Sequence, residues 1–256
     1  NFLVLNYEYP PLGNGGGIIS RNLCEGLIRL GHNITVVTTW FTGLKEEEQG
    51  ENLTIIRIKS KRKHTDRSNP LEMFLWIIAA KKFLKKYCAT HTFDLAVANF
   101  AIPGGEVGLF LKKKFDIPYV VISHGHDIPW VKPASLYLYH FLTYFRLKKI
   151  CAQSALNFIQ SAEMKTNIDQ FLGQDYDFKN IIIPNGVDFQ QFRFTERTSK
   201  NTLSILFAGR MTAQKNPLAV ISAVRILKEN NIPFILKMAG DGPLRKKLER
   251  LIIRYN

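Results

Sequence analysis

The sequence predicts an α/β protein of two doubly wound, parallel-sheet domains, the second of them incomplete. Three observations predict it. Short apolar runs rich in Val, Ile and Phe alternate with longer stretches whose apolar residues recur at helical spacing. Glycine-rich or charged turns follow several of these runs, as they do where parallel strands present ligand-binding loops. The rhythm lapses once, over the polar residues 195–201, and then starts again.

Residues 2–5 read as a buried strand, 6–17 as a loop, 18–30 as a helix that stops at Gly31, and 33–39 as a second strand. That is one βαβ unit, and its usual handedness makes the two strands parallel. Strand 53–59, helix 71–87, strand 94–98, helix 106–115 and strand 119–123 continue the pattern. An aromatic helix over 135–151 precedes short strands at 155–160 and 180–183, and the first domain is expected to span 1–197. From 198 the pattern resumes with strand 203–208, helix 217–230, strand 233–238 and a basic helix 243–254. Two βα units cannot cover both faces of a parallel sheet, so 198–256 is expected to be the opening of a second Rossmann-like domain, cut short.

With 256 residues and 46% hydrophobic content the chain can bury one large core or two moderate ones, which excludes a disordered protein. Cys24, Cys88 and Cys151 are scattered and odd in number, so they are expected to be reduced thiols rather than a disulfide framework. The longest apolar run, 73–80, is too short to span a bilayer, and no basic-then-apolar leader opens the chain. A cytoplasmic protein is expected. Lys plus Arg outnumber acids 35 to 21, for a net charge of +14, which suits nucleic acid, an anionic membrane or a highly charged small substrate.

Four turns carry the candidate chemistry. In Phe207-Ala208-Gly209-Arg210-Met211-Thr212-Ala213-Gln214-Lys215-Asn216-Pro217, two permanent cations follow a strand and precede a helix whose free N–H groups also favour an anion. A phosphate or carboxylate ligand fits Arg210 and Lys215, while Lys215 alone also reads as a solvated lysine. Gly13-Asn14-Gly15-Gly16-Gly17 in the first βα turn lets a ligand approach backbone, or is simply a flexible turn. It is not the dinucleotide fingerprint, since Ile18 stands where the last glycine belongs and no acid ends the second strand. Ser123-His124-Gly125-His126-Asp127 places a histidine at a strand end, suited to hydrogen-bond a substrate hydroxyl with Asp127 orienting the loop. A structural histidine, or less readily a metal site, is the alternative. Met238-Ala239-Gly240-Asp241-Gly242-Pro243 repeats the strand–turn–helix scheme, or is an ordinary Asp-Gly turn. No Gly-x-Ser-x-Gly elbow, electropositive cysteine loop or Walker pattern is present.

The order Gly15-Gly16-Gly17, Ser123-His124-Gly125-x-Asp127, Ser161-Ala162-Glu163, Pro184-Asn185-Gly186-Val187-Asp188, Gly209-Arg210-x4-Lys215 and Ala239-Gly240-Asp241-Gly242-Pro243 resembles the group 1 retaining glycosyltransferases, also called glycosyltransferase family four. The resemblance covers nearly the whole chain and implies the GT-B fold, two Rossmann-like domains across a cleft. It implies a nucleotide-sugar donor, UDP- or GDP-linked, and a glycan or lipid-linked acceptor, with no metal and no other cofactor. It implies catalytic roles for His124 and Asp127, and contact of Arg210, Lys215, Gly16 and Gly17 with the donor diphosphate. Gly240, Asp241, Gly242 and Pro243 would line the nucleotide side. The family's paired-glutamate signature is expected beyond Gly242, and this chain stops before it.

Helix 71–87 begins apolar, with Phe74, Trp76 and Ile78, and ends in Lys81, Lys82, Lys85 and Lys86, which reads either as a solvated face or as peripheral contact with an anionic membrane. The aromatics of helix 135–151, among them Tyr137, Phe141, Tyr144 and Phe145, are expected mostly in the core. A nucleic-acid-binding protein and a non-hydrolysing epimerase on a nucleotide sugar are the rival functions; no nucleic-acid module is recognisable, and no nucleic-acid partner is expected.

Overall fold

The computed structural model describes residues 1–13, 15–125, 127–129, 137–194 and 202–255. These divide into two units, Asn1–Gly186 and Val187–Asn256. Residues 187–194, read from the sequence as the tail of the first domain, group with the second.

The first unit is built on β1 (Phe2–Leu5), whose three last side chains are buried. It pairs in parallel with β2 (Ile34–Thr39) on one side, Phe2 opposite Ile34 through Leu5 opposite Val37, and with β5 (Leu95–Asn99) on the other. Beyond β2 lie β4 (Leu53–Ile58) and the short β3 (Glu47–Gln49); beyond β5 lie β6 (Tyr119–Ile122), β7 (Asn157–Ile159) and β8 (Asn180–Ile182). Every pairing is parallel except β3 with β4. The chain thus winds outward from β1 in one direction and from β5 in the other, and the crevice at their carboxyl ends is where such sheets bind ligands.

Alternate side chains of each strand face opposite layers. Leu3, Leu5, Ala96 and Val121 pack under α2 (Pro70–Tyr87), α3 (Glu106–Phe115), α4 (Tyr137–Gln153) and α5 (Ala162–Leu172). Val4, Val36, Val97 and Val120 pack on the other side around Cys24 of α1 (Gly15–Arg29). Cys24 and Cys151 are buried and Cys88 is partly so, all three as free thiols. Helix α2 starts where Asn69 caps it: the Glu72 N–H donates to Asn69 Oδ1 (3.0 Å), the Asn69 N–H donates to Glu72 Oε2 (3.3 Å), and Pro70 supplies a first residue with no N–H to satisfy.

Several expectations need correction. Helix α1 begins at Gly15, so Gly16 and Gly17 lie in its first turn rather than in a preceding loop. Strand β3 and helix α5 were not expected at all. The Ser161 hydroxyl, accepting from the Met164 N–H at 3.2 Å, caps α5 and starts it. The aromatics of α4 are not mainly core: His140 and Leu147 point inward, Tyr144 meets Phe171 edge to face, and Phe141 and Phe145 face solvent. His126 and the segment expected to open that helix lie outside the described residues.

In the second unit β9 (Leu203–Ala208) and β10 (Phe234–Ala239) pair in parallel, Leu203 opposite Phe234 through Ala208 opposite Ala239. Helices α6 (Pro217–Glu229) and α7 (Arg245–Tyr255) cover one face, where Phe207, Leu236 and Met238 pack around Met211, Ile221 and Leu248. The other face carries Leu206 and Ile235 exposed. Helix α7 starts at Arg245, two residues later than expected, which leaves Pro243 in the turn.

Candidate functional site

At the carboxyl edge of the first sheet, His124 follows β6 and its imidazole is held on both nitrogens. Nε2–H donates to Asn99 Oδ1 (3.1 Å), and Gln160 Nε2 donates to Nδ1 (3.0 Å). This is the pairing of a neutral ring with its proton on Nε2. Burial disfavours the charged ring and lowers its pKa, and the Asp127 carboxylate opposes that shift without cancelling it. Asn99, fully buried at the end of β5, also donates to Ser20 Oγ of α1 at 3.3 Å, so one amide ties the histidine to the first helix.

Asp127 does not hydrogen-bond the imidazole. Its Oδ1 accepts from the His124 backbone N–H (3.0 Å) and its Oδ2 from the Ala101 N–H (2.9 Å), which closes the loop back on the strand end. It therefore meets His124 through the backbone N–H and through its charge.

Between His124 and the start of α1 stands Phe100. Its backbone has φ of +64°, a conformation rare for an aromatic residue. Its ring centroid lies 4.5 Å from that of His124. A Cβ on Gly16 would come within 3.1 Å of the same ring, so glycine is what lets α1 approach it. Gly17 is buried beneath the carbonyls of Leu12 and Glu8, where a Cβ would meet oxygens at 3.1 and 3.2 Å. Close packing is therefore its structural part, and Gly16, partly open, is the accessible one of the two. The N–H groups of the first turn of α1 have no helical partners and face this same edge. The sequence alone singled out neither Asn99, Phe100 nor Gln160. All three stand at or just past strand ends, which was the available signal.

In the second unit the two expected loops are zipped together. The Gly209 N–H donates to the Ala239 carbonyl (2.9 Å), Met211 N–H to the Asp241 carbonyl (2.8 Å), and Leu244 N–H to the Met211 carbonyl (3.0 Å). Gly240 and Gly242 have φ of +143° and +150°, and a Cβ on them would come within 2.0 Å of Gly209 O and 2.7 Å of Met211 O. Buried Met211 anchors the pair of loops. Arg210 beside it is exposed, as is Lys215, and neither joins an ion pair among the described residues. Lys215 ends a short helical turn, Ala213–Lys215; Asn216 then takes φ of +46° and Pro217 opens α6. Two exposed cations thus flank one turn ahead of α6, an arrangement suited to a phosphate; the turn's own N–H groups at Lys215 and Asn216 are taken up by the carbonyls of Thr212 and Ala213. Asp241 sits 3.8 Å from Arg245, and its side chain accepts from the Gly242 N–H.

Residues 13–191 match the family described as Glycosyltransferase Family 4, and residues 188–256 match Glycosyl transferases group 1. The chain belongs to glycosyltransferase family 4. An uncharacterised glycosyltransferase of Methanocaldococcus jannaschii is 28% identical over 256 residues, covering 99% of this chain and 63% of that protein. The α-monoglucosyldiacylglycerol synthase of Acholeplasma laidlawii is 24% identical over 270 residues, covering 97% of this chain and 65% of the synthase. The chain therefore spans about two thirds of the length of these relatives. Among solved structures, sucrose-phosphate synthase from Thermosynechococcus elongatus superposes with a TM-score of 0.76 at 17% identity, covering all of this chain and 67% of that one. An α,α-trehalose-phosphate synthase from Burkholderia vietnamiensis gives 0.68 at 12% identity. The fold of this family 4 chain is accordingly of the GT-B type, with parallel Rossmann-like sheets in both units.

Proposed function

We propose that the chain is the acceptor side and the first donor-binding loops of a retaining glycosyltransferase, moving a sugar from a UDP- or GDP-linked donor to a glycan or lipid-linked acceptor at the cytoplasmic face of a membrane. What carries this reading is the neutral His124, held on both nitrogens one strand away from the topological switch of the first sheet. A fixed, uncharged imidazole beside a set of free helix N–H groups suits recognition of sugar hydroxyls and of an oxocarbenium-like state. In the second unit, exposed Arg210 and Lys215 on the zipped loops suit the diphosphate, whose negative charge grows as the glycosidic bond breaks. Fixed cations can lower that barrier without a metal. The lipid acceptor is suggested by the name of the Acholeplasma laidlawii relative, a glucosyldiacylglycerol synthase.

A thermal-shift screen of nucleotide sugars tests the reading, because a ligand that binds only the folded state raises Tm. A UDP- or GDP-sugar is expected to raise Tm where the free sugar does not. No shift with any nucleotide diphosphate would overturn it.

A further inference from the structure

Helix α4 has apolar side chains on two faces. His140, Leu147, Ile150 and Cys151 enter the core. Leu138, Phe141, Leu142 and Phe145 form a second stripe at i, i+3, i+4 and i+7 that points away from it, with exposures of 69, 78, 73 and 85%. Four large apolar groups on consecutive turns, all turned to water, are not the scattered apolar surface of an ordinary soluble protein. Leu71, Phe74 and Ile78 repeat the feature on the first half of α2.

The two helices are fixed in one layer by Glu106 at the start of α3, which takes Lys81 Nζ of α2 at 2.5 Å and a bidentate guanidinium from Arg146 of α4. All three helices follow parallel strands and so run the same way. The layer is therefore bipartite: apolar groups at its leading end, and lysines at its trailing end. Those lysines are Lys82 and Lys85 on α2, Lys113 and Lys114 on α3, and Lys149 on α4. Lys113 feels Lys149 closely enough that its pKa is lowered, chiefly by that like charge. Such a cluster gains most from an anionic partner.

We propose that this outward face of α2, α3 and α4 docks on a bilayer containing anionic phospholipid. The Leu138–Phe145 stripe enters the boundary between headgroups and acyl chains, and the lysines lie over the phosphates. Charge selects this occupant. A second copy would bring its own lysines against these in a chain of net charge +14, and a neutral apolar partner would leave the lysines unanswered. No helix among the described residues is long and apolar enough to cross a membrane, so the contact is one of lying on the surface. The proposal does not rest on the transfer reaction, and its test needs neither donor nor turnover.

The test is co-sedimentation of the full chain with vesicles of phosphatidylcholine alone or with phosphatidylglycerol. The chain is expected to pellet only with the anionic vesicles and to be released by salt. Phe141→Ser with Phe145→Ser should weaken partitioning about tenfold or more, from lost apolar burial. Lys113→Gln with Lys149→Gln should weaken it about thirtyfold, from lost phosphate attraction. All four side chains are exposed, so an unchanged Tm will show that the variants still fold. Equal pelleting with both vesicle types would overturn the proposal, as would full retention by the phenylalanine variant. So would a dimer that the phenylalanine variant dissociates, or an oligonucleotide bound as tightly by that variant as by the parent while vesicles go unbound.

Discussion

The Phe100 ring stacks obliquely on His124, 4.5 Å between centroids and inclined by 49°, while its Cζ and Cε2 limit Gly16. One residue in a left-handed conformation thus packs against the imidazole that Asn99 and Gln160 hold, and limits the approach of α1. His124→Ala is expected to depress turnover more than donor affinity, because a contact that strengthens in the transition state is lost. Steady-state kinetics beside nucleotide titration checks this; equal losses in both would reduce His124 to a binding group.

The direction of the His124 shift makes a second test. Burial holds its pKa below the ordinary value of about 6.5, so the ring stays neutral as pH falls through that value and protonates only further down. Stability from the neutral ring is present above the unfolded pKa and is lost as pH falls through the folded one. Asp127→Asn removes the charge that opposes the shift, so the titration, followed by imidazole NMR, is expected to move further down. An upward movement would contradict the account.

Gly240 lies against the Gly209 carbonyl at φ of +143°. Gly240→Ala combines a backbone conformation unfavourable to L-residues with a clash against main chain, and is expected to destabilise the second unit by about 2 kcal/mol or more. Denaturant unfolding measures it. Gly26→Ala, in an α1 position where a Cβ meets nothing nearer than 3.9 Å, is the matched control and should not destabilise.

Glu106 is buried beneath Lys81 and Arg146. Burial pushes its carboxyl up, but hydrogen bonds from Arg146 and Lys81 outweigh that and hold it below the usual glutamate range. A depressed carboxylate stabilises the fold above the unfolded pKa near 4.3 and loses that contribution as pH falls through the folded value. Glu106→Gln should therefore cost about 2 kcal/mol at neutral pH and flatten the acid side of the stability profile. An unaltered pH profile would remove Glu106 from the set of fold-stabilising groups.

Most of the parallel sheet was legible because buried strands in such sheets are short, apolar and separated by helical spacing, as at residues 2–5, 34–39 and 119–122. Strand β3 was not, since Glu47, Glu48 and Gln49 at an exposed edge carry no apolar pattern. Helix α5 had its signal in Ser161 and in Ile168, Phe171 and Leu172, but it lay beside a stronger strand signal at residues 157–159. The triple glycine read as a turn because glycine favours turns, whereas here its small size admits Phe100 and the loop carbonyls. Two faces of α4 are apolar, so periodicity alone could not say which one the core takes. The strand-end rule pointed to His124, Arg210 and Gly240, which do stand just past strand ends. It could not find Asn99 or Gln160, whose parts depend on which side chains meet in space.

In the proposed reaction the donor diphosphate is held by the cations of the turn after β9. Titration of UDP and GDP into the chain, into Arg210→Ala and into Lys215→Ala tests it most directly. Each substitution is expected to weaken diphosphate binding by about 1.5–3 kcal/mol, the range for hydrogen bonds to charged groups, with no change in Tm since both side chains are exposed. Affinity for both nucleotides that is unchanged in both variants would contradict it.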